Sequence, residues 1–211
     1  MTRIQKRAEI ILCELKKLYP HPKTILNFSN NWELLVAVML SAQTTDKQVN
    51  VVTHTFFDKY KTIQDISNAQ LDDIGNDLQS INYYKTKAKH IHETAHILLQ
   101  NFNAQLPQYI DDMMTLPGVG RKTALVVLGN AYNIVEGIAV DTHVQRLSRV
   151  FTLTIHTQPE KIERDLQKLF PKTEWFNLTN RMINYGREYC HARCVHNTCP
   201  IVAKLRQENM L

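Results

Sequence analysis

The amino-acid sequence predicts an all-α fold. Apolar residues recur at the three- and four-residue spacing of amphipathic helices along most of the 211 residues. No segment alternates apolar and polar residues for more than a few positions, as a half-buried strand would, and no internal repeat is evident. The hydrophobic content of 44% is ordinary for a globular protein with a core.

Helix-starting and helix-ending residues delimit the predicted helices in the first half of the chain. A helix is expected over residues 3–19, because Pro20 ends the apolar periodicity. Asn30 and Glu33 form a capping-box pattern before residues 32–41, which are apolar on nearly all sides and should form a central helix. The next predicted helix begins at Asp46. Two further helices are predicted over residues 67–78 and 91–99.

The second half of the chain continues the helical pattern around a glycine-containing turn. A short helix is predicted before that turn, and an apolar helix begins after it at Ala124. Another helix is predicted to begin at Asp141. The last two predicted helices cover residues 160–170 and 175–185.

The turn itself is the stretch Leu116-Pro-Gly-Val-Gly-Arg-Lys-Thr-Ala124, which holds two of the six glycines. Glycines this scarce mark backbone with a positive φ or a close approach to another surface. Backbone N–H groups at the start of the second helix, together with the helix dipole, favour an anion such as a DNA phosphate. A tight interhelical turn without a ligand needs the same glycines, so the glycines alone leave both interpretations open.

Lys122 and Asp141 are the candidate catalytic pair. Lys122 lies in the first turn of the helix after the hairpin, where the helix dipole and neighbouring Arg121 disfavour a charged ammonium. A partly neutral lysine is a nucleophile, although a phosphate contact is the simpler role for a lone hairpin lysine. Asp141 offers a carboxylate at a helix start, and its alternative role is that of a helix N-cap.

Charge and aromatic residues give a second indication of nucleic-acid binding. The formal net charge is +5 and the isoelectric point is about 9.0. Tyr83 and Tyr84 precede Lys85, Lys87 and Lys89, and such rings stack on bases while ammonium groups bind phosphates. A solvated helix end with inward-packed tyrosines fits the same residues.

Two motifs in the right order make a family resemblance specific. The hairpin stretch, followed by Ala139-Val-Asp-Thr-His-Val144, resembles the endonuclease III family of bifunctional DNA glycosylases in the helix-hairpin-helix superfamily. Supporting matches, which extend the resemblance over nearly the whole chain, are Leu40-Ser-Ala-Gln-Thr-Thr-Asp46, Lys85–Ala88 and Gly186-Arg187 before Cys190.

The resemblance implies two helical domains with DNA in the groove between them. The first would be a continuous six-helix domain, residues 24–134, carrying the helix-hairpin-helix. The second would combine residues 1–23 and 135–211. The implied substrate is double-stranded DNA that contains damaged pyrimidines or abasic sites, and the protein is expected to be a monomer.

The resemblance also implies the role of each site residue. Lys122 would attack C1′ of the damaged nucleotide to form a Schiff base, Asp141 would stabilise the cationic sugar, and β-elimination would nick the strand. Gln43 and Tyr83 would fill the gap left in the duplex, although the family commonly has Gly-Leu where this chain has Asn82-Tyr83. The implied DNA contacts of the hairpin are Pro117, Gly118, Val119, Gly120, Arg121 and Thr123.

The C-terminal cysteines depart from the family pattern. Three of the four cysteines, Cys190, Cys194 and Cys199, lie within ten residues, a clustering that suggests a metal more than disulfides. The family usually holds a four-iron four-sulfur cluster on C-x6-C-x2-C-x5-C, whereas this chain has C-x3-C-x4-C. We therefore expect a degenerate, metal-free loop and a chemistry that requires no cofactor. Less favoured alternatives are a Cys3His site completed by His191 or His196, and an intact cluster.

Two other classes of protein compete with a bifunctional enzyme. A non-catalytic helix-hairpin-helix module would bind DNA through the same turn but would not need Asp141. Adenine-specific mismatch glycosylases of the superfamily lack the hairpin lysine, so Lys122 argues against them.

No apolar run approaches the roughly 20 residues of a membrane helix, and glutamates interrupt any signal-peptide core after the basic first residues. We expect a cytoplasmic protein that is nucleoid-associated through DNA.

Overall fold

The computed structural model describes residues 2–196 and 198–211, and these residues form helices joined by turns, without a strand. The predicted all-α fold is confirmed. In chain order the α-helices are α1 (Arg3–Leu18), α2 (Asn31–Leu40), α3 (Asp46–Lys59), α4 (Ile63–Asn68), α5 (Leu71–Asp77), α6 (Tyr84–Asn101), α7 (Ile110–Met114), α8 (Arg121–Tyr132), α9 (Thr142–Val150), α10 (Pro159–Leu169), α11 (Trp175–Glu188) and α12 (Pro200–Gln207). One 3₁₀ turn, Lys172–Glu174, precedes α11.

The chain divides into two compact units. One is the continuous segment Ile25–Ile134, and the other combines the residues up to Thr24 with Val135–Leu211. Each unit has a hydrophobic core of its own. The continuous unit contains α2 to α8, and the discontinuous unit contains α1 and α9 to α12.

Helix α2 lies in the core of the continuous unit. Every residue from Trp32 to Leu40 is buried, and the helix contacts α3, α6 and α8. The Asn30 side chain accepts a hydrogen bond from the Glu33 N–H at 2.9 Å, and the Glu33 carboxylate accepts one from the Ser29 N–H at 2.6 Å. These bonds fix the start of the helix, and the prediction of a central helix here is confirmed.

The helix expected over residues 67–78 is wrong, because two short helices, α4 and α5, occupy this region. Thr62 and Asp65 form a reciprocal capping box that starts α4 before the predicted segment. Ala69 is extended, with φ −75° and ψ 152°, which ends α4 and leaves Gln70 to precede α5. Residues 25–134, all of which the structure describes, therefore contain seven helices and not the expected six.

The core of the discontinuous unit joins both ends of the chain. Helix α11 contacts α1 and α9, and α1 contributes Ala8, Ile11 and Leu15, all fully buried. Helix α12 was not predicted from the sequence. It begins with a proline at its first position and buries Ile201 and Leu205.

A buried arginine connects α11 to the end of α1. The Arg181 Nε donates to the Tyr19 carbonyl at 3.0 Å, and Nη2 donates to the Pro20 carbonyl at 3.5 Å. Its Nη1 donates to Glu174, whose other carboxylate oxygen pairs with Lys16. Burial raises the pKa of the Glu174 carboxyl, but the hydrogen bonds from Lys16 and Arg181 outweigh it, and the net shift is downward.

Among the helices that the structure describes, none combines the length and the apolar character needed to cross a membrane.

Candidate nucleic-acid interface and active-site residues

The predicted hairpin connects α7 to α8 as a tight turn. The Val119 N–H donates to the Leu116 carbonyl at 3.0 Å, and both side chains are buried. Between them, Pro117 is half-buried and Gly118 is exposed. The apolar side chains therefore anchor the turn in the core of the continuous unit, while its backbone faces outward.

Gly118 is required by conformation and by space. Its φ is +76°, in the left-handed region that favours glycine. A β-carbon at this position would lie 2.6 Å from Nδ1 of His90 on α6. The Thr94 hydroxyl of α6 also donates to the Pro117 carbonyl at 3.4 Å. Helix α6 thus supports the turn from behind and fixes its shape.

Gly120 differs from Gly118, because its backbone is one that any residue can adopt. Its φ is −87° and ψ is 173°, and a β-carbon here would meet nothing within 4 Å. As the N-cap of α8 it has no side chain to cap the first turn. The space in front of the N-terminus of α8 is open to a ligand.

Lys122 occupies the second position of α8, and its side chain is exposed. Arg121 and Thr123 on either side are half-buried. Apart from Val119, whose side chain is buried, the predicted hairpin residues lie at the surface at the start of α8, and Lys122 is the exposed amine among them.

Asp141 lies in the discontinuous unit, where it is the N-cap of α9. Its Oδ1 accepts a hydrogen bond from the Val144 N–H at 2.8 Å, as a capping aspartate should. The residues before it are buried, and the Thr179 hydroxyl holds the Ala139 carbonyl at 3.0 Å. A carboxylate has two oxygens with several lone pairs, so the cap uses only part of its capacity as an acceptor.

Gln43 and Tyr83 lie on two loops that the structure ties together. Both residues have left-handed backbones, with φ of 56° and 60°. The Asn82 amide donates to the Gln43 carbonyl, and the Gln48 amide donates to the Ser80 hydroxyl at 3.1 Å. Gln43 is exposed, and Tyr83 is 66% exposed. The two loops are therefore held side by side at the surface.

The predicted basic and aromatic surface is only partly present. Lys85, Lys89 and Tyr83 are exposed, and Tyr84 is half-buried. Lys87 points the other way: it is 8% exposed, and its ammonium donates to the loop that carries Gln43. The alternating sequence could not distinguish this lysine from its neighbours, because its acceptors come from residues over forty positions away.

The expectation of a degenerate, metal-free C-terminal loop is wrong. The side-chain ligand atoms of Cys190, Cys194, His196 and Cys199 lie within 4.8 Å of one another, and we call these four residues the Cys–His cluster. Three thiolates and an imidazole are a common zinc set, and histidine also replaces cysteine in some iron–sulfur centres. By donor type the cluster fits a metal centre.

The sequence named His196 only as one of two alternative fourth ligands, and the cysteine spacing favoured a loop without metal. The chain turns between Cys190 and Cys199, and His196 has a left-handed backbone with φ 61° that brings its ring back to the thiols. His191, the other candidate, is exposed. The cysteine spacing could not choose between the two histidines, because the turn that carries His196 decides which ring reaches the thiols.

The surroundings set the protonation of the three thiols. Burial raises the pKa of the Cys199 thiol to about 12 and also raises that of Cys190, to which Arg146 donates at 3.4 Å. The hydrogen bond with Cys199 lowers the pKa of Cys194. Because metals bind thiolates, occupation of the cluster must release protons.

Comparisons with known proteins agree with this geometry. The model of the HhH-GPD superfamily of base excision DNA repair proteins matches residues 36–172, more than half of the chain. The endonuclease III of Synechocystis sp. is 42% identical over 193 residues, covering 92% of this chain and 88% of the relative. That of Bacillus subtilis is 38% identical, covering 96% of this chain and 93% of the relative.

Solved structures show the same similarity in three dimensions. A trapped covalent intermediate of an endonuclease III with DNA matches with a TM-score of 0.88 at 36% identity, covering 98% of this chain and 99% of that chain. A thermostable thymine-DNA glycosylase, at 18% identity and a TM-score of 0.81, shares the fold. The predictions of a helix-hairpin-helix fold and of a base excision repair enzyme are confirmed. The chain belongs to the endonuclease III family, within the HhH-GPD superfamily of base excision DNA repair proteins.

Proposed function

We propose that the protein is a bifunctional DNA glycosylase and abasic-site lyase that removes oxidised pyrimidines from double-stranded DNA. The observation that carries the proposal is the exposed amine of Lys122 in the first turn of α8, directly after a hairpin whose outer face is open backbone. An amine in this position can reach a sugar while the hairpin holds the neighbouring phosphates.

The reaction starts when the neutral amine of Lys122 attacks C1′ of the damaged nucleotide. The bond between Nζ and C1′ forms as the glycosidic bond breaks, and the base leaves with a proton. Opening of the sugar ring gives a Schiff base between Lys122 and C1′. Loss of a proton from C2′ then expels the 3′ phosphate, and the strand is nicked.

Asp141 stabilises the positive charge that develops on the sugar and assists the proton transfers. A carboxylate held at a helix N-cap has a fixed position, so little reorganisation is needed when the charge appears. The structural bond to Val144 and the catalytic role are compatible, because they use different lone pairs of one carboxylate.

The hairpin binds the DNA backbone without reading its sequence. Backbone N–H groups at the start of α8, aided by the helix dipole, donate hydrogen bonds to a phosphate in the open space before Gly120. Pro117 to Thr123 supply this contact, and such contacts position the duplex without base preference.

Gln43 and Tyr83 occupy the space that the damaged nucleotide leaves when it rotates out of the duplex. Extrusion costs a few kcal/mol of lost stacking and pairing. An exposed tyrosine ring replaces part of the stacking, and a glutamine amide replaces part of the hydrogen bonding.

When a metal is bound, the Cys–His cluster holds it. There it supplies a cross-link between the end of α11 and the start of α12. Because the substrate is chromosomal DNA, we propose that the protein works at the nucleoid, in the cytoplasm.

The test is borohydride trapping of the Schiff base on a duplex that contains one oxidised pyrimidine. The wild-type protein is expected to form a covalent adduct and to nick the strand, whereas Lys122→Gln should do neither. Lys168→Gln is the control, because Lys168 is an exposed lysine of the other unit. Adduct formation by Lys122→Gln would refute the assignment of the nucleophile.

A further inference from the structure

Lys87 is a buried cation inside the continuous unit, and all three of its N–H groups donate hydrogen bonds. Its ammonium donates to the Leu40 carbonyl at 2.8 Å, to the Ala42 carbonyl at 2.6 Å and to the Thr44 hydroxyl at 3.3 Å. An ammonium group has three donors, and each has an acceptor here. All three acceptors lie at or just beyond the end of α2.

Burial of this charge is costly, since the pKa of Lys87 is lowered by desolvation. The C-terminus of α2 provides part of the compensation, because the helix dipole favours a cation there. Core packing alone would be served by an apolar side chain at this position of α6. The cation therefore points to a need for the bonds that it makes.

Those bonds act on the backbone on either side of Gln43. The Lys87 ammonium donates to the Ala42 carbonyl, which belongs to the peptide bond before Gln43. The Asn82 amide donates to the Gln43 carbonyl, which belongs to the peptide bond after Gln43. The Thr44 N–H of that second peptide donates to the Ser41 carbonyl at 3.2 Å. Both peptide planes are thus fixed, which keeps Gln43 in a left-handed conformation that a glutamine rarely adopts.

We propose that Lys87 and Asn82 are positioning residues that hold Gln43 ready for insertion into the duplex. The inference rests on the proposed function, since it assigns a purpose to the geometry of a residue that enters DNA. Lys87 itself touches no substrate. It acts through the loop, and Asn82 couples that loop to the one that carries Tyr83.

The experiment compares two substrates, each with one abasic site in a duplex. In the first the opposite nucleotide has its base, and in the second it also lacks a base, so that Gln43 has nothing to contact. The measured quantity is the ratio of the single-turnover nicking rates on the two duplexes. A loss of folded protein lowers both rates equally and leaves this ratio unchanged.

Lys87→Met and Asn82→Ala are expected to lower the ratio in the same direction as Gln43→Ala, by up to about 100-fold for Lys87→Met if the loop moves by an ångström. Asn82 is exposed, so Asn82→Ala tests the idea even if Lys87→Met does not fold. In a Gln43→Ala background neither change should lower the ratio further. Lys168→Met, at an exposed position, is the matched control.

The possible failures are distinguishable. If wild-type protein nicks neither duplex, the proposed function is wrong and the inference falls with it. If Gln43→Ala leaves the ratio at its wild-type value, the insertion of Gln43 is refuted. If Gln43→Ala lowers the ratio but Lys87→Met and Asn82→Ala do not, only the positioning role is overturned.

Discussion

Gly118 and Gly120 stand two residues apart in one turn, yet their β-carbons would meet different surroundings. At Gly118 a side chain would collide with His90 and would have to adopt a positive φ. At Gly120 a side chain would point into open space. The protein itself therefore explains the first glycine, and the proposed phosphate contact would explain the second.

This contrast gives a paired prediction. Gly118→Ala should lower the free energy of unfolding by about 1–3 kcal/mol, because of left-handed strain and the contact with His90. Gly120→Ala should cost no more than about 1 kcal/mol, since alanine is only a poor N-cap. Gly120→Ala should nevertheless weaken binding to abasic duplex, because the methyl group of the alanine would occupy the space for the phosphate. Denaturant unfolding and fluorescence anisotropy measure the two effects, and unchanged DNA affinity of Gly120→Ala would contradict the phosphate contact.

Asp141 combines a structural and a proposed catalytic role in one carboxylate, and a single substitution separates them. Asparagine caps helices as well as aspartate does, so Asp141→Asn should keep the bond from the Val144 N–H and change stability by less than about 0.5 kcal/mol. It removes the negative charge, and the single-turnover rate of base removal should fall by about 10²–10⁴-fold. A variant that is stable and fully active would show that Asp141 is only a cap.

Among the helices, the connection from α1 to α11 depends on one ion network. Arg181 is 3% exposed, and Arg181→Met would leave two backbone carbonyls without its hydrogen bonds and the half-buried Glu174 carboxylate with Lys16 as its remaining partner. We expect a loss of about 2–4 kcal/mol in the free energy of unfolding, measured by urea titration. Lys16→Met, which removes the more exposed partner of Glu174, should cost less than about 1 kcal/mol.

The ion network around Glu174 also predicts that the free energy of unfolding falls at acidic pH. Because the pKa of Glu174 is lowered in the folded protein, its contribution to stability is fully present above the ordinary glutamate value of about 4.3. That contribution is lost as the pH falls through the folded-state pKa.

The sequence predicted elements with strong local signals, but it missed one local helix break and the contacts that depend on distant residues. Helix α2 was predicted correctly, because its cap and its all-round apolar surface lie within a dozen residues. The break at Ala69 was missed because the apolar spacing runs through it. The inward direction of Lys87 was missed because its acceptors belong to α2 and the following loop.

The candidate site shows the same limits. The hairpin, Lys122, Asp141 and Gln43 were predicted from short motifs, and their roles remain predictions. Their geometry also depends on distant residues, since His90 limits the space at Gly118 and Lys87 donates to the loop that carries Gln43. The Cys–His cluster was misjudged because its cysteine spacing was compared with the family pattern, while His196 was kept only as an alternative ligand. Short-range patterns therefore locate candidate turns, whereas the assembly of a metal site depends on how the chain folds.

At the scale of the whole molecule, metal binding should stabilise the discontinuous unit. Purified protein is expected to contain metal held by the Cys–His cluster, and Cys199→Ser should lose it and lower the melting temperature. Cys13→Ser is the control, because Cys13 is an exposed thiol on α1 outside the cluster. Metal analysis by mass spectrometry and thermal unfolding with and without a chelator measure both effects. Equal metal content in the two variants would contradict the assignment.

The discontinuous unit also has a consequence for the order of events on the ribosome. Helix α1 is made first, but the helices that cover Ala8, Ile11 and Leu15 follow residue 135. Residues 25–134 can bury their own core as soon as they leave the exit tunnel, since domains fold as units during synthesis. The apolar face of α1 therefore stays exposed, and accessible to chaperones, until the residues after 135 emerge. The core of this unit is thus completed only after α9 to α12 have emerged, later than the core of the continuous unit.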